Sequence, residues 1–210
     1  MDMILHHHDW LDSTNDEVMR LARAGAPEGT VVVADAQRRG RGQAGRVWES
    51  PPGRNLYFSL LLRPAPEPAA CTELTAVVGL ALAEALETAC RGVAGGAAVQ
   101  VGLKAPNDLL LAGKKLGGIL TEAVICEGRF VSVVVGCGIN VNARPEDFSP
   151  ALRSTATSLY MSTQVTWDRP TLLTTLLDRL TRVYAHYLAA GFAPLRTAYA
   201  SRLVELRGAR

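Results

Sequence analysis

Residues 107–136 constrain the fold more than any other part of this 210-residue chain. Asn107-Asp108-Leu109-Leu110-Leu111, a turn at Ala112-Gly113, an apolar run over 115–125, a turn at Glu127-Gly128 and a β-branched run over 130–136 follow without a helix between them. Runs of strand length joined by tight turns pair antiparallel, because a parallel pair needs a crossover of a dozen or more residues. An antiparallel sheet is therefore expected at the centre of the molecule.

The flanking sequence alternates strands with helices. His6, His7 and His8 would point to alternate faces of a strand, so they read as part of a structural first strand rather than as a metal site. Asp12-Ser13-Thr14-Asn15 opens a helix with Ser13 or Thr14 as cap, Asp16 and Glu17 in its first turn, and Gly25 at its end. Strands follow over 30–34 and 56–62, and Pro64, Pro66 and Pro68 make a surface connection. The stretch from 72 to about 94, rich in Leu, Ala and Glu, predicts a buried helix closed by Gly92, Gly95 and Gly96. Residues 98–104 predict a strand, and Gly138 to Asn142 ends the strand over 130–136. Residues 144–150 read as loop and 155–159 as partly extended. Asp168 caps a helix with Pro170 in its first turn that runs to about 190, and a short helix over 194–203 closes the chain. Hairpins in one region and helices grouped elsewhere give an α+β fold: one mixed, mainly antiparallel sheet packed by helices.

Composition narrows the function classes. A net charge of +2 does not by itself suggest a nucleic-acid or membrane surface, and no apolar run is long enough to span a bilayer. The N-terminus lacks the order of a signal peptide, and the four cysteines, Cys71, Cys90, Cys126 and Cys137, lie far apart without a CxxC pair. Free thiols in a reduced, cytoplasmic core are expected.

Three clusters carry chemistry. In Gly40-Arg41-Gly42-Gln43-Ala44-Gly45-Arg46-Val47-Trp48, glycines free the backbone to turn toward an anion and arginines offer forked donors, so the stretch is either an anion clamp or a solvated basic turn. In Lys104-Ala105-Pro106-Asn107-Asp108, a lysine at a strand end could neutralise developing phosphate charge, while Asn107 and Asp108 offer hard oxygens; an ordinary turn is the alternative. Gly117-Gly118 and Gly136-Cys137-Gly138 interrupt apolar strands, which suits either bulges or a flat ligand lying on the sheet. No Gly-Lys-Ser/Thr follows the loop glycines, the GxGxxG spacing is absent, and the histidines are badly placed for a Ser-His-Asp triad.

In their order, these clusters resemble the biotin protein ligases. Asp-Ser-Thr-Asn at 12–15, Gln37 with the 40–48 loop (GRGRxGRxW), Lys104 to Leu109 (KWPNDL), Lys114 to Leu120 (GKKLAGIL), Gly136 to Asn142 (GxGINVN) and Ala156-Thr157-Ser158-Leu159 all look like family stretches. The resemblance implies a fold of the class II aminoacyl-tRNA synthetase and biotin ligase type, with a catalytic domain over 1–205. It implies a two-step reaction: biotin and ATP with Mg²⁺ form biotinyl-5′-AMP and pyrophosphate, and a lysine of a biotin carboxyl carrier protein then takes the biotinyl group. It implies Arg41, Lys104 and Arg46 as catalytic cations. Biotin would be bound by Ser13, Thr14, Gln37, Gly40, Arg41, Lys104, Gly117, Gly118 and Gly138. The adenylate would be held by Arg41, Gln43, Arg46, Trp48, Asn107 and Asn140, with Asn107 on the Mg²⁺ side. Trp48 packs near the adenine or anchors the loop. The loop over 38–46, with its arginines unpaired, should order on ligand binding.

Two residues depart from the pattern. Gln43 stands where the family has a second arginine, and Ala105 where it often has tryptophan. The ends suggest a monofunctional form: no helix-turn-helix before Ser13, hence no DNA partner, and a stub at 206–210 where a C-terminal β-barrel would begin. A homodimer through a sheet edge or face is a further expectation from the family. Two alternatives stand beside the ligase reading: a lipoate or octanoate ligase of the same fold, and a non-catalytic biotin-binding protein.

Overall fold

Strands β1 (Ile4–Leu11) and β2 (Thr30–Gln37) run parallel, with helix α1 (Thr14–Arg23) as the crossover between them. Strands β3 (Leu56–Leu62), β4 (Val101–Lys104), β5 (Asp108–Leu111), β6 (Lys114–Cys126) and β7 (Arg129–Ile139) complete one sheet in the order β1-β2-β3-β7-β6-β5-β4. All pairings after the first are antiparallel, so the mixed, mainly antiparallel sheet expected from the hairpins is present. This computed structural model describes residues 1–64, 70–93, 99–126 and 129–204. The Pro66–Pro68 connection, the Gly95-Gly96 helix end, the Glu127-Gly128 turn and the 206–210 stub lie outside the described residues.

Two long helices cover one face of the sheet. Helix α2 (Ala70–Arg91) lays Leu74, Val78, Ala81, Leu82 and Leu86 into the main core. After the short α3 (Leu159–Thr163), helix α4 (Arg169–Ala190) adds Leu172, Leu173, Leu176, Leu180 and Val183 to the same cluster. The α4 start follows the sequence reading: Asp168 Oδ2 accepts from Thr171 N at 2.9 Å, and Gly191 ends the helix with φ 70°.

Period-two alternation sorts the strands between the two faces. Val31, Val33, Leu60, Leu62, Val133 and Val135 face α2 and α4, while Val32, Leu61 and Val134 face α1 with Val18 and Ala22. Burying both faces explains why β3 is apolar at nearly every position.

Four local expectations change. Strand β2 extends past residue 34 to Gln37, and β7 continues through Gly136-Cys137-Gly138 because β3 pairs with it on one side and β6 on the other. The helix expected over 194–203 shrinks to a 3₁₀ turn, Ala193–Leu195, and α5 (Arg196–Ala200). The chain then leaves the helix to pair with β4: Leu103 N donates to Arg202 O at 2.7 Å and Val204 N to Leu103 O at 2.8 Å. Finally, Ser13 occupies the N-cap position of α1 but its side chain makes no capping bond, and Thr14 lies inside the helix with its hydroxyl turned to the sheet. Of the stretch expected to be partly extended over 155–159, Ala156 bridges Lys115 and Ser158 is extended, while Thr155 ends a turn and Leu159 begins α3.

Candidate functional site

The sheet face that carries α1 has two surfaces. Beneath the helix it is apolar. Further along the same strands, on the same face, stand Ser59 in β3, Gly136 and Gly138 in β7, and Gly118, Leu120 and Glu122 in β6. A cavity of about 540 Å³ opens over this second surface, within the size range of small-molecule sites.

The glycine–arginine loop closes one side of it as a small hairpin. Trp48 N donates to Gly40 O at 2.9 Å and Gly42 N to Arg46 O at 2.7 Å, with Gln43–Gly45 forming the turn. Ala44 and Gly45 have φ of 54° and 72°, where glycine is at ease and alanine is strained. Gly40 has a packing reason: a Cβ there would fall onto Trp48 O and 2.7 Å from Ser50 Oγ. The Trp48 ring lies on the strand glycines, since a Cβ at Gly138 would sit 2.5 Å from Cε2 and one at Gly118 3.2 Å from Cζ3. Lys115 Nζ stands 5.4 Å from the ring centroid and 2.7 Å from Asp108 Oδ1. These contacts make Trp48 an anchor for the loop. Its Nε1 is buried without an acceptor.

A chain of polar contacts crosses the cavity floor. Gln37 Oε1 accepts from Thr14 N at 2.9 Å and Thr14 Oγ1 at 3.2 Å, and its Nε2 donates to Ser50 Oγ at 3.0 Å. Ser59 Oγ lies 2.7 Å from Thr14 Oγ1 and 2.6 Å from Asn15 Oδ1. Asn15 Nδ2 donates to Glu122 Oε2 at 2.6 Å. Gly136 lacks a side chain because Asn15 fills that space: a Cβ would fall onto Asn15 Oδ1 and 2.8 Å from its Cγ. The Ser-Thr-Asn segment thus ties α1 to the sheet, which a capping role alone does not require.

The cations divide into two groups. Arg41, expected to be unpaired, is gripped instead: Nη1 lies 2.9 Å from Glu122 Oε1, and Nη2 lies 2.9 Å from Glu122 Oε2 and 2.6 Å from Asp16 Oδ1. Arg46 Nε donates to Gln43 O at 3.2 Å, and among the described residues neither Arg46 nor Lys104 pairs with a carboxylate. Both line the cavity, as do Ser13, Gln43, Asn107 and Asn140. Gly40 and Gly117 do not. Gly117 is buried, with 2.8 Å between its would-be Cβ and Gly138 O, next to a register shift between Leu109 and Leu110. Its glycine answers to the backbone, so the bulge explanation holds there but not at Gly118, Gly136 or Gly138.

Asn107 and Asn140 brace the walls. Asn107 Nδ2 donates to Ile119 O at 2.9 Å, and Asn140 Nδ2 to Thr157 O at 3.0 Å. Asn107 Oδ1 is left as that side chain's ligand atom, and Asp108 is already ion-paired. Among the described residues no group of three His, Cys, Asp or Glu could hold a metal ion. This donor set is no metal cage; it fits a Mg²⁺ that arrives on phosphates with its own waters. Cys137 also lines the cavity, where burial pushes its thiol well above the usual range and keeps it neutral. Sequence reading missed Asp16, Ser59, Lys115 and Glu122 at this site, because only the packing of α1 and the pairing of distant strands bring them together.

Fold and site together define an α+β domain with a small-molecule cleft on a half-covered sheet face, lined by cations and amides. The chain belongs to the Biotin/lipoate A/B protein ligase family, whose pattern it matches over residues 9–140. It is 39% identical over 201 residues to the bifunctional ligase/repressor BirA of Bacillus subtilis (strain 168), covering 96% of this chain and 60% of that protein. It is 36% identical to the biotin–[acetyl-CoA-carboxylase] ligase of Paracoccus denitrificans, covering 93% of this chain and 79% of that one. Among solved structures, the biotin protein ligase of Aquifex aeolicus in complex with biotin and ATP superposes with a TM-score of 0.82 at 32% identity, covering 96% of this chain and 79% of that one. Among the described residues no helix is long and apolar enough to cross a membrane.

Proposed function

We propose that this chain is a biotin protein ligase domain that activates biotin with ATP and passes it to a lysine of a biotin carboxyl carrier protein. The cavity carries the reading: one lining brings together hydroxyl and amide groups, Ser13, Thr14 and Gln37 among them, and the cations Lys104, Arg46 and Lys115. Thr14 and Gln37, paired with each other and with Ser59 and Ser50, keep a second Gln37 N–H and a Thr14 lone pair that a neutral ureido ring can meet. A biotin carboxylate oxygen attacks the α-phosphorus of ATP and pyrophosphate leaves, giving a mixed anhydride. The acceptor amine then attacks the acyl carbon, AMP leaves, and an amide forms. The first step brings two anions together, so its barrier falls where fixed cations meet the growing charge. Lys104 and Arg46, which pair with no carboxylate among the described residues, support this role, whereas Lys115 is paired with Asp108 and Arg41 with Asp16 and Glu122.

Mg²⁺ bound to the triphosphate would supply further charge neutralisation, with Asn107 Oδ1 as the protein ligand. The buried Nε1–H of Trp48 is a donor that a ligand acceptor would satisfy. The Aquifex aeolicus neighbour, solved with biotin and ATP, supports the pairing of these two substrates. Biotin-dependent exchange of pyrophosphate into ATP, with lipoate and octanoate inactive, is the expected result. Exchange driven by lipoate, or biotin binding without exchange, contradicts it.

A further inference from the structure

The position of Arg41 does not suit a residue that screens an incoming anion. One guanidinium between the carboxylates of Asp16 and Glu122 leaves that rim of the cavity locally negative. Nor is Glu122 a casual partner. Asn15, itself only 3% exposed, holds its carboxylate at 2.6 Å, and Asn15 occupies its place only because residue 136 has no Cβ. Such a fixed carboxylate meeting a guanidinium through two parallel bonds is a built receptor for one arginine. The contact joins the 40–48 hairpin to α1 and β6, while Trp48 holds the other end of the hairpin on the strand glycines.

We propose that Asp16 and Glu122 are positioning residues that hold the glycine–arginine loop closed by gripping Arg41, and that this latch sets how long the cavity retains its contents. The inference rests on the ligase reading only for the identity of the retained molecule; the latch is a property of the free protein. Breaking a partly exposed bidentate pair of this kind should shift the opening of the loop by about tenfold.

Hydrogen exchange on the ligand-free chain tests it at the Gly42 and Trp48 amides, which close the hairpin. Glu122→Gln should speed their exchange about tenfold, and Asp16→Asn by a smaller factor, with α2 amides unchanged. The exchanged pair Arg41→Glu/Glu122→Arg should recover most of the protection. Biotin should also leave the Glu122→Gln variant about tenfold faster than the parent. Unchanged exchange at both amides overturns the latch. So does tighter biotin binding by Glu122→Gln, the result expected if Arg41 must leave these carboxylates to reach the ligand. A parent protein that binds no biotin sinks the ligase reading, while the exchange data still judge the latch.

Discussion

Gly136→Ala is the most informative single substitution on the cavity floor. The new methyl would fall onto Asn15 Oδ1 and 2.8 Å from its Cγ, so the Asn15 amide must leave. It then forfeits a 2.6 Å contact with Ser59 Oγ and a 2.6 Å bond to the Glu122 carboxylate, plus a longer one to Leu120 O. A neutral bond is worth about 1 kcal/mol and one to a charged group about 2 kcal/mol, so the substitution should cost about 3 kcal/mol. Asn15→Ala should cost a similar amount. Once Asn15 is shortened the methyl has room, so the double variant should lose about 3 kcal/mol rather than the additive ~6 kcal/mol. Urea unfolding followed by far-UV circular dichroism, with m-values compared across the four proteins, measures this. Additive losses, or a Gly136→Ala cost under about 1 kcal/mol, would refute the claim that this glycine exists to seat Asn15.

Three further outcomes are expected. Lys104→Ala should slow adenylate formation by about 10²–10³-fold with little change in melting temperature, since the side chain serves charge rather than packing; rapid single-turnover kinetics with equal rates would remove Lys104 from the chemistry. Gln43→Arg should slow release of the adenylate into solution, because it restores a cation where the family pattern has one; unchanged leakage on a filter-binding assay contradicts this. Burial, with the Glu87 carboxylate nearby, pushes the Cys90 thiol from 9.0 up to about 11. The unfolded chain ionises first, so this group's contribution to stability is present below pH 9 and is lost as pH rises toward 11. The fall in melting temperature across that window should be shallower in Cys90→Ala, and equal slopes would count against it.

Much of the fold was legible because its signals are local. The Ala112-Gly113 turn and the β-branched run over 130–136 point to β5, β6 and β7, and Asp168 with Pro170 places the start of α4. The parallel β1–β2 pair was less visible, since a strand, a helix and a strand in sequence do not say which edges meet. Residues 202 and 203 looked helical and instead join Val204 in pairing with β4, an outcome settled by an open strand edge that no local propensity encodes.

The site was legible by position more than by role. Twelve of the fourteen expected residues line the cavity, and only Gly40 and Gly117 do not. The strand glycines suit either bulges or a flat ligand from sequence; in the structure Gly138 and Gly118 carry the Trp48 ring and Gly136 carries Asn15. Glycine announces a close approach without naming what approaches. Likewise Arg41 looked free because its partners, Asp16 and Glu122, lie 25 and 81 residues away in sequence. Gln37 and Thr14 were recognised, but their bond to each other, and the Ser59 hydroxyl beneath, required the register of three strands.

The most direct test of the ligase claim is to incubate the protein with biotin, ATP and Mg²⁺ and analyse the acid-quenched mixture by mass spectrometry. The account predicts biotinyl-5′-AMP with stoichiometric pyrophosphate, and a mass gain of one biotinyl group on a biotin carboxyl carrier domain added to the unquenched reaction. Bound biotin with neither adenylate nor labelled carrier would contradict it.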